Sequence, residues 1–317
     1  MDKAHQQADK DLNRLSKRIK REYQTAQKEI IEKANAYFEE FEQADKKMFK
    51  LVDTGKISRD DYIEWRKVQL AQGDKWRDTI RAISRDYANI QAITADMTNE
   101  HMDYVYANNY NYGTYEIEQG LGISTNYTLY NKDTVKQLLV DNPDLLPKPD
   151  PTKIIPKAER WNMQKVNSAL LQGILQGDSI DKIAKRLRTV TKMNISSSIR
   201  NARTMTTRAE NGGRYEAYNR AEKMGIRVKK QWLATLDGRT RHAHAVLDRE
   251  IVDMDEEFSN GLSFPGDPDG DPSQIYNCRC AVVAIPYGLS EDIYTNNRVS
   301  QYLDNLDISY DEWKEGK

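Results

Sequence analysis

The chain has 317 residues, 38% of them hydrophobic and 31% charged, with a formal net charge of −1. That length allows two or three domains with at least one real core, and so high a charged fraction points to helices with wide solvated faces rather than a deeply buried sheet. No apolar run is long enough to span a membrane, and Met1–Gln7 lack the apolar core of a secretory signal, so synthesis and assembly in the cytoplasm are expected.

From Leu12 and Leu15, through Ile19, Tyr23 and Ile30, to Met48 and Leu51, apolar residues recur every third or fourth position. This spacing predicts one long amphipathic helix. Asp53-Thr-Gly55 supplies a stop, and Ser58 followed by Asp61 resembles a capping box that opens a second helix carrying Tyr62, Trp65, Trp76, Ile80, Ile83, Tyr87, Ile90 and Met97. Two such helices joined by a short turn form an antiparallel hairpin with a coiled-coil-like seam.

Between Tyr104 and Tyr130 seven tyrosines alternate with Asn, Gly and Thr, which predicts short strands or an irregular platform. The stretch has no Arg to hold phosphates, so base stacking is a poor account of it. A short helix over Val135–Val140 follows, and then Pro143, Pro147, Pro149, Pro151 and Pro156 mark an extended, semi-rigid linker.

Past the linker, Trp161 to Leu175 predicts one helix, Ile180 to Val190 a second, and Ser197 to Met224 a third, stopped by Gly225. On that last helix Arg200, Arg203, Thr207, Asn211 and Arg214 share one arc. The arc lies in a basic region: Lys182–Arg241 holds 16 Lys or Arg against 4 Asp or Glu, whereas His242–Lys317 holds 5 against 16. Three readings of Arg200, Arg203 and Arg214 stand side by side: DNA phosphate binding, docking on an acidic partner, or neutralisation by the acidic tail.

Arg227–Leu236 alternates as a strand, with Val228, Lys230, Trp232 and Ala234 on one side, and Cys280–Ile285 is its natural antiparallel partner. Between them lies a Pro- and Gly-rich loop containing Asp267, Asp269 and Asp271. A calcium loop would need Gly and Glu where Pro272 and Cys278 stand, so a turn-rich structural loop is expected. Cys278 and Cys280 are too close for a favourable disulfide, but in an extended segment they present two sulfurs to one point. With His244 and either Asp237 or His242 they could complete a zinc set. The competing reading is metal-free, with two buried thiols and a hydrogen-bonded imidazole. A nucleophilic reading, with Asp237 orienting His244 against Cys278, is also chemically conceivable. From Ser290 the tail reads as a peripheral helix or an acidic end.

The expected fold class is mainly α with a small β element (α+β). Its parts are a helical hairpin over 1–110, a Tyr-rich segment and Pro-rich linker over 111–157, a helical C-terminal domain closed by a β-pair and loop knot over 158–287, and an acidic tail over 288–317.

In order, Trp232, Asp237, Thr240, Arg241, His244, the Gly/Pro/Asp-rich loop and Asn277-Cys-Arg-Cys280 resemble the C-terminal signature of the phage head-morphogenesis family, the Mu F-like minor head proteins. A looser helical likeness reaches back to about Trp161. Met205 stands after Arg203-Thr204, where that family often has an acidic residue, so no role for such a carboxylate carries over. The resemblance implies a minor head (minor capsid) protein without its own chemistry. Such a protein would be a virion component inside the head, made in the bacterial host cytoplasm, and would act in procapsid assembly and DNA packaging or delivery. Its implied partners are the phage portal protein, a capsid or scaffolding protein and, on one reading, DNA, with no membrane. The alternative is a metal-dependent hydrolase or toxin-like effector using the His/Cys knot, since the domain also looks similar to modules fused to toxins. The short stretch after Cys280 is expected to leave no room for such a fusion.

Overall fold

In a computed structural model, residues 2–71, 73–125, 127–176, 178–287 and 308–317 are described. The chain is mostly helical with one three-stranded antiparallel sheet. The signals at the first turn have the expected geometry. Helix α1 (Lys3–Asp53) ends where Gly55 adopts φ +68°, with its N–H on the Val52 carbonyl and the Lys56 N–H on that of Leu51. This is the paired bonding of a Schellman stop, which needs a residue tolerant of the left-handed region. Helix α2 (Arg59–Ala71) starts with a capping box: the Ser58 hydroxyl accepts from the Asp61 N–H, and the Asp61 carboxylate accepts from the Ser58 N–H.

Several predicted boundaries move. The single second helix is two, α2 and α3 (Asp74–Leu121), separated at Gly73. Helix α3 runs through Tyr104–Leu121, correcting the expectation of strands there. Low intrinsic propensity is overridden by burial of this stretch, and its buried polar side chains are satisfied locally: Asn109 donates to the Val105 carbonyl and Thr114 to that of Tyr110. Helix α4 (Lys132–Asp141) is capped by Asn131. The proline-rich stretch is extended only in part, for Pro151 and Pro156 lie within α5 (Pro151–Leu175), whose first turn the Asp150 carboxylate caps. The two helices expected over 180–224 are one, α6 (Ile180–Lys223).

The chain forms two compact units that do not follow the chain order of the expected blocks. One comprises 17–96 and 149–199. It is a bundle with Ile19, Tyr23, Ile83, Tyr87, Val166, Leu170 and Leu187 in its interior. Its buried polar atoms pair across helices: Tyr23 with Ser198, Tyr87 with Thr191, Asn194 with Asn162. Such pairing offsets the cost of desolvating each group.

The other unit comprises 1–16, 97–148 and 200–317 and contains the sheet. Strand β1 (Val228–Leu233) is central, flanked by β2 (Ile251–Asp253) and β3 (Ala281–Pro286). The β1–β3 pair is the one expected, with Trp232 opposite Val282 and both fully buried. Strand β2 was not anticipated, as three residues carry no readable alternation. The expected inward side of β1 includes Lys230, which is wholly buried. Its ammonium donates to the Met254 carbonyl over the rings of Tyr215 and Phe258, and burial pushes its pKa down to about 8.

A charge network buries the N-terminal residues in this unit. Arg214 donates two hydrogen bonds to Asp2, at 2.7 and 2.9 Å, and lies 3.7 Å from Glu116. His5 Nδ1 is 2.7 Å from Glu210. Burial alone would raise the Asp2 pKa, but Arg214 holds it well below the usual carboxylate range. Burial pushes Glu116 up to about 7, and Asp2 adds to that rise against Arg214. Burial alone would lower His5, yet Glu210, Asp2 and Asp9 raise it to about 9.

Two predictions follow from this packing. At Gly213 a Cβ would stand 2.4 Å from the Tyr106 carbonyl oxygen, whereas at Gly212 its nearest neighbour would be a ring carbon at 3.5 Å. Gly213→Ala should therefore cost about 1–3 kcal/mol in urea unfolding while Gly212→Ala costs little. The second concerns pH. The folded pKa of His5 lies above the ordinary 6.5, so its contribution is fully present below that value and is lost as pH rises through about 9. This contribution, on the order of 3 kcal/mol, should be lost across that window, so the gap in melting temperature between the unaltered chain and His5→Gln should shrink as pH rises through it.

Candidate functional site

Downstream of β1 the chain turns at Asp237, whose carboxylate accepts two 2.6 Å hydrogen bonds from Arg279. Thr240 closes the same turn by donating to the Thr235 carbonyl. The short helix α7 (His242–Val246) then aims His244 inward. Helix α8 (Pro272–Ile275), capped by Asp271, brings Gln274 to the other side of that ring. Asn277 adopts φ +61°, a left-handed turn that Asn tolerates better than most residues. After it come Cys278 and Cys280.

These elements bring three donors together. His244 Nδ1 is 3.5 Å from Cys278 Sγ and 3.6 Å from Cys280 Sγ. His244 Nε2 is 3.0 Å from Gln274 Oε1, and the Trp232 ring stands edge-on to the imidazole. All three donors are 1–2% exposed, and the cysteines are free. Among the described residues no other His, Cys, Asp or Glu joins the cluster. Hydrogen bonding to Cys280, together with burial, pushes the Cys278 thiol up. The same contact holds Cys280 below the usual thiol range against its burial, aided by His244.

The remaining candidates lie elsewhere. Asp237 does not approach the sulfurs; its carboxylate is held by Arg279, so it neither joins the donor set nor orients His244. His242 is exposed on α7. With Gln274 on Nε2, the arrangement of Asp237, His244 and Cys278 needed for nucleophilic catalysis is absent. The Asp267 carboxylate accepts from the Ser263 and Asp269 N–H groups, which makes it a turn brace.

The arginine arc also changes meaning. Arg200 is exposed, but Arg203 is half-buried and donates to Asn277 Oδ1, and Arg214 is wholly buried on Asp2. The face carrying Arg203 and Arg214 runs along the segment leading into β3. Thr204 accepts from the Asn277 N–H, and Thr207 donates to the Cys278 carbonyl. Asn211 donates to the Cys280 carbonyl and accepts from the Val282 N–H, while Arg214 donates to the Val282 carbonyl. The charge of Arg214 is neutralised by Asp2, with Glu116 and Glu210 nearby; most of the acidic tail lies outside the described residues. Sequence reasoning missed Gln274 and Arg208. Arg208 donates to the Gly266 and Pro147 carbonyls and so holds the proline-rich loop; the odd basic residue in a buried helical stretch was the available signal.

A mostly helical chain with a small antiparallel sheet, closed by a Cys-x-Cys turn over an inward histidine, is the class these elements define. Residues 164–283 match the family described as Phage Mu protein F like protein. Minor head protein GP7 of Bacillus phage SPP1 is 26% identical over an alignment of 323 positions, covering 98% of this chain and 94% of that protein. The NAD(+)--arginine ADP-ribosyltransferase EFV of Enterococcus faecalis is 32% identical over 201 residues, covering 63% of this chain; the chain spans only 40% of that relative's length. An uncharacterized protein of Haemophilus influenzae is 29% identical over 123 residues, 39% of this chain and 25% of that protein. No solved structure matches.

The left-handed Asn277 yields a direct expectation. Asn277→Ala should destabilise the full chain by about 1 kcal/mol more than Asn277→Gly, because both lose the Arg203 bond but only Ala pays the left-handed strain. Equal urea midpoints would remove the backbone from this account.

Proposed function

We propose that the chain is a phage minor head protein acting in head morphogenesis. The observation that carries the reading is the match to minor head protein GP7, which extends over nearly the whole of both chains. The site supports it chemically, for the motif residues are spent on one another: Asp237 on Arg279, Thr240 on Thr235, Arg241 on the Tyr276 carbonyl, Asn277 on Arg203. With His244 and both cysteines buried as well, the knot is suited to being a rigid docking module. The transferase named in the Enterococcus relative belongs to a protein of which this chain covers two fifths, and we assign no such activity here.

In its finer form the proposal is that the chain enters the procapsid in the host cytoplasm, associates there with the portal protein and with capsid or scaffolding protein, and aids DNA packaging or delivery. The exposed Arg200 offers a contact to an acidic partner surface or to DNA, whereas Arg203 and Arg214 serve the interior. In the phage or prophage that encodes the chain, its deletion should leave capsid shells forming but sharply lower infectious yield. The chain should also sediment with procapsids and co-purify with portal protein, and Arg200→Glu should weaken that co-purification without lowering the melting temperature. Its absence from procapsids, with undiminished yield on deletion, would overturn the reading.

A further inference from the structure

We propose that His244, Cys278 and Cys280 bind one zinc ion, with His244 ligating through Nδ1. The geometry of the metal-free alternative is the first argument. Nδ1 has a single lone pair in the plane of the ring and can accept one S–H proton. Yet both sulfurs stand at nearly the same distance from it, 3.5 and 3.6 Å. In a metal-free cluster one sulfur donates to Nδ1 and the second is held by its hydrogen bond to the first, so nothing requires the two sulfurs to stand at equal distance from the nitrogen. A tetrahedral centre accounts for both: with zinc–sulfur bonds of roughly 2.3 Å and zinc–nitrogen bonds of roughly 2.0–2.1 Å, ligand nitrogen and sulfur come to lie roughly 3.5 Å apart.

The surroundings are those such a centre needs. Gln274 Oε1 accepts from Nε2–H, which fixes the tautomer that leaves Nδ1 bare toward the sulfurs. Cys278 Sγ also receives a backbone N–H, that of Cys280 at 3.4 Å. Such a bond stabilises a thiolate, the form a metal requires. Two thiolates and one imidazole in tetrahedral disposition select zinc over hard cations, whose preferred ligands are oxygen atoms. Binding displaces the thiol protons to solvent, and the three protein donors leave one coordination position. The ion would tie α7 to the start of β3, joining segments 34 and 36 residues apart in the chain.

The test uses the full reduced chain and two probes, cobalt(II) and zinc(II). Cobalt should develop a thiolate-to-metal charge-transfer band and the intense visible bands of a tetrahedral site, saturating at one equivalent, and one equivalent of zinc should abolish them. Zinc should raise the melting temperature and a chelator should reverse the rise. Cys278→Ser and Cys280→Ser should each remove the charge-transfer band or greatly reduce it. Gln274→Ala keeps all three ligands and should weaken zinc binding roughly 10- to 100-fold. A folded, reduced wild-type chain that gives no such band would overturn the proposal without recourse to any variant. A band that survives intact in either cysteine variant would overturn it as well.

Discussion

The structure around the site depends on how one helix satisfies the open edge of one strand. In the sheet order β2–β1–β3, strand β3 has a neighbour on one side only, and its other edge would present bare carbonyl and N–H groups. The segment Asn277–Val282 is largely buried there, where an unmatched backbone group costs about 1–3 kcal/mol. Helix α6 covers it with Thr204, Thr207, Asn211 and Arg214. Three to four residues of helix advance about 4.5–6.0 Å and two residues of strand about 6.6–6.8 Å. Side chains one helical turn apart can therefore meet every second carbonyl of the strand, as Thr207, Asn211 and Arg214 meet those of Cys278, Cys280 and Val282. The same alternation sets the sulfurs of Cys278 and Cys280 on one side of the segment, where His244 stands.

Arg214 links this ladder to the charge network. A guanidinium buried at 0% exposure is tolerable only if its donors are satisfied and its charge is compensated. Nη1 reaches both Asp2 and the Val282 carbonyl, Nη2 reaches Asp2, and Nε reaches Asn109. One side chain thus joins the N-terminal residues, helix α3 and the edge of β3. The glycine at 213, beside it, lets α6 approach the Tyr106 carbonyl closely enough for these bonds to form.

Much of this was legible in the sequence, and the rest failed for identifiable reasons. The Gly55 stop, the Ser58–Asp61 box, the β1–β3 pairing and the convergence of His244 with the two cysteines rest on local chemistry or on two-residue alternation, which sequence reports well. The Tyr104–Leu121 helix was hidden because its stability comes from burial in the tertiary fold, which no propensity scale contains. Helix α6 was divided because Asn194, Ser196, Ser197 and Ser198 resemble a boundary. In fact Asn194 and Ser198 meet Asn162 and Tyr23, polar partners remote in sequence. The arginine arc was left among three readings, none of which was a strand edge: a polar stripe on a helix looks solvated unless such an edge is known to lie beside it.

That last omission bears on what the motif is for. The arc and the Asn-Cys-Arg-Cys turn are two halves of one hydrogen-bonded contact, so neither half can be understood from its own spacing. Charge balance gave a partial hint, since the arc was suspected of internal neutralisation, but it did not point to the carboxylates that meet Arg214. Asp2, Glu116 and Glu210 lie far from Arg214 in sequence or on its own helix. Directional bonds of this kind specify register more sharply than apolar burial does, because a slip of one residue would turn each carbonyl away from its donor. Here the helix ladder defines the position of β3, and that position brings the cysteines to the histidine.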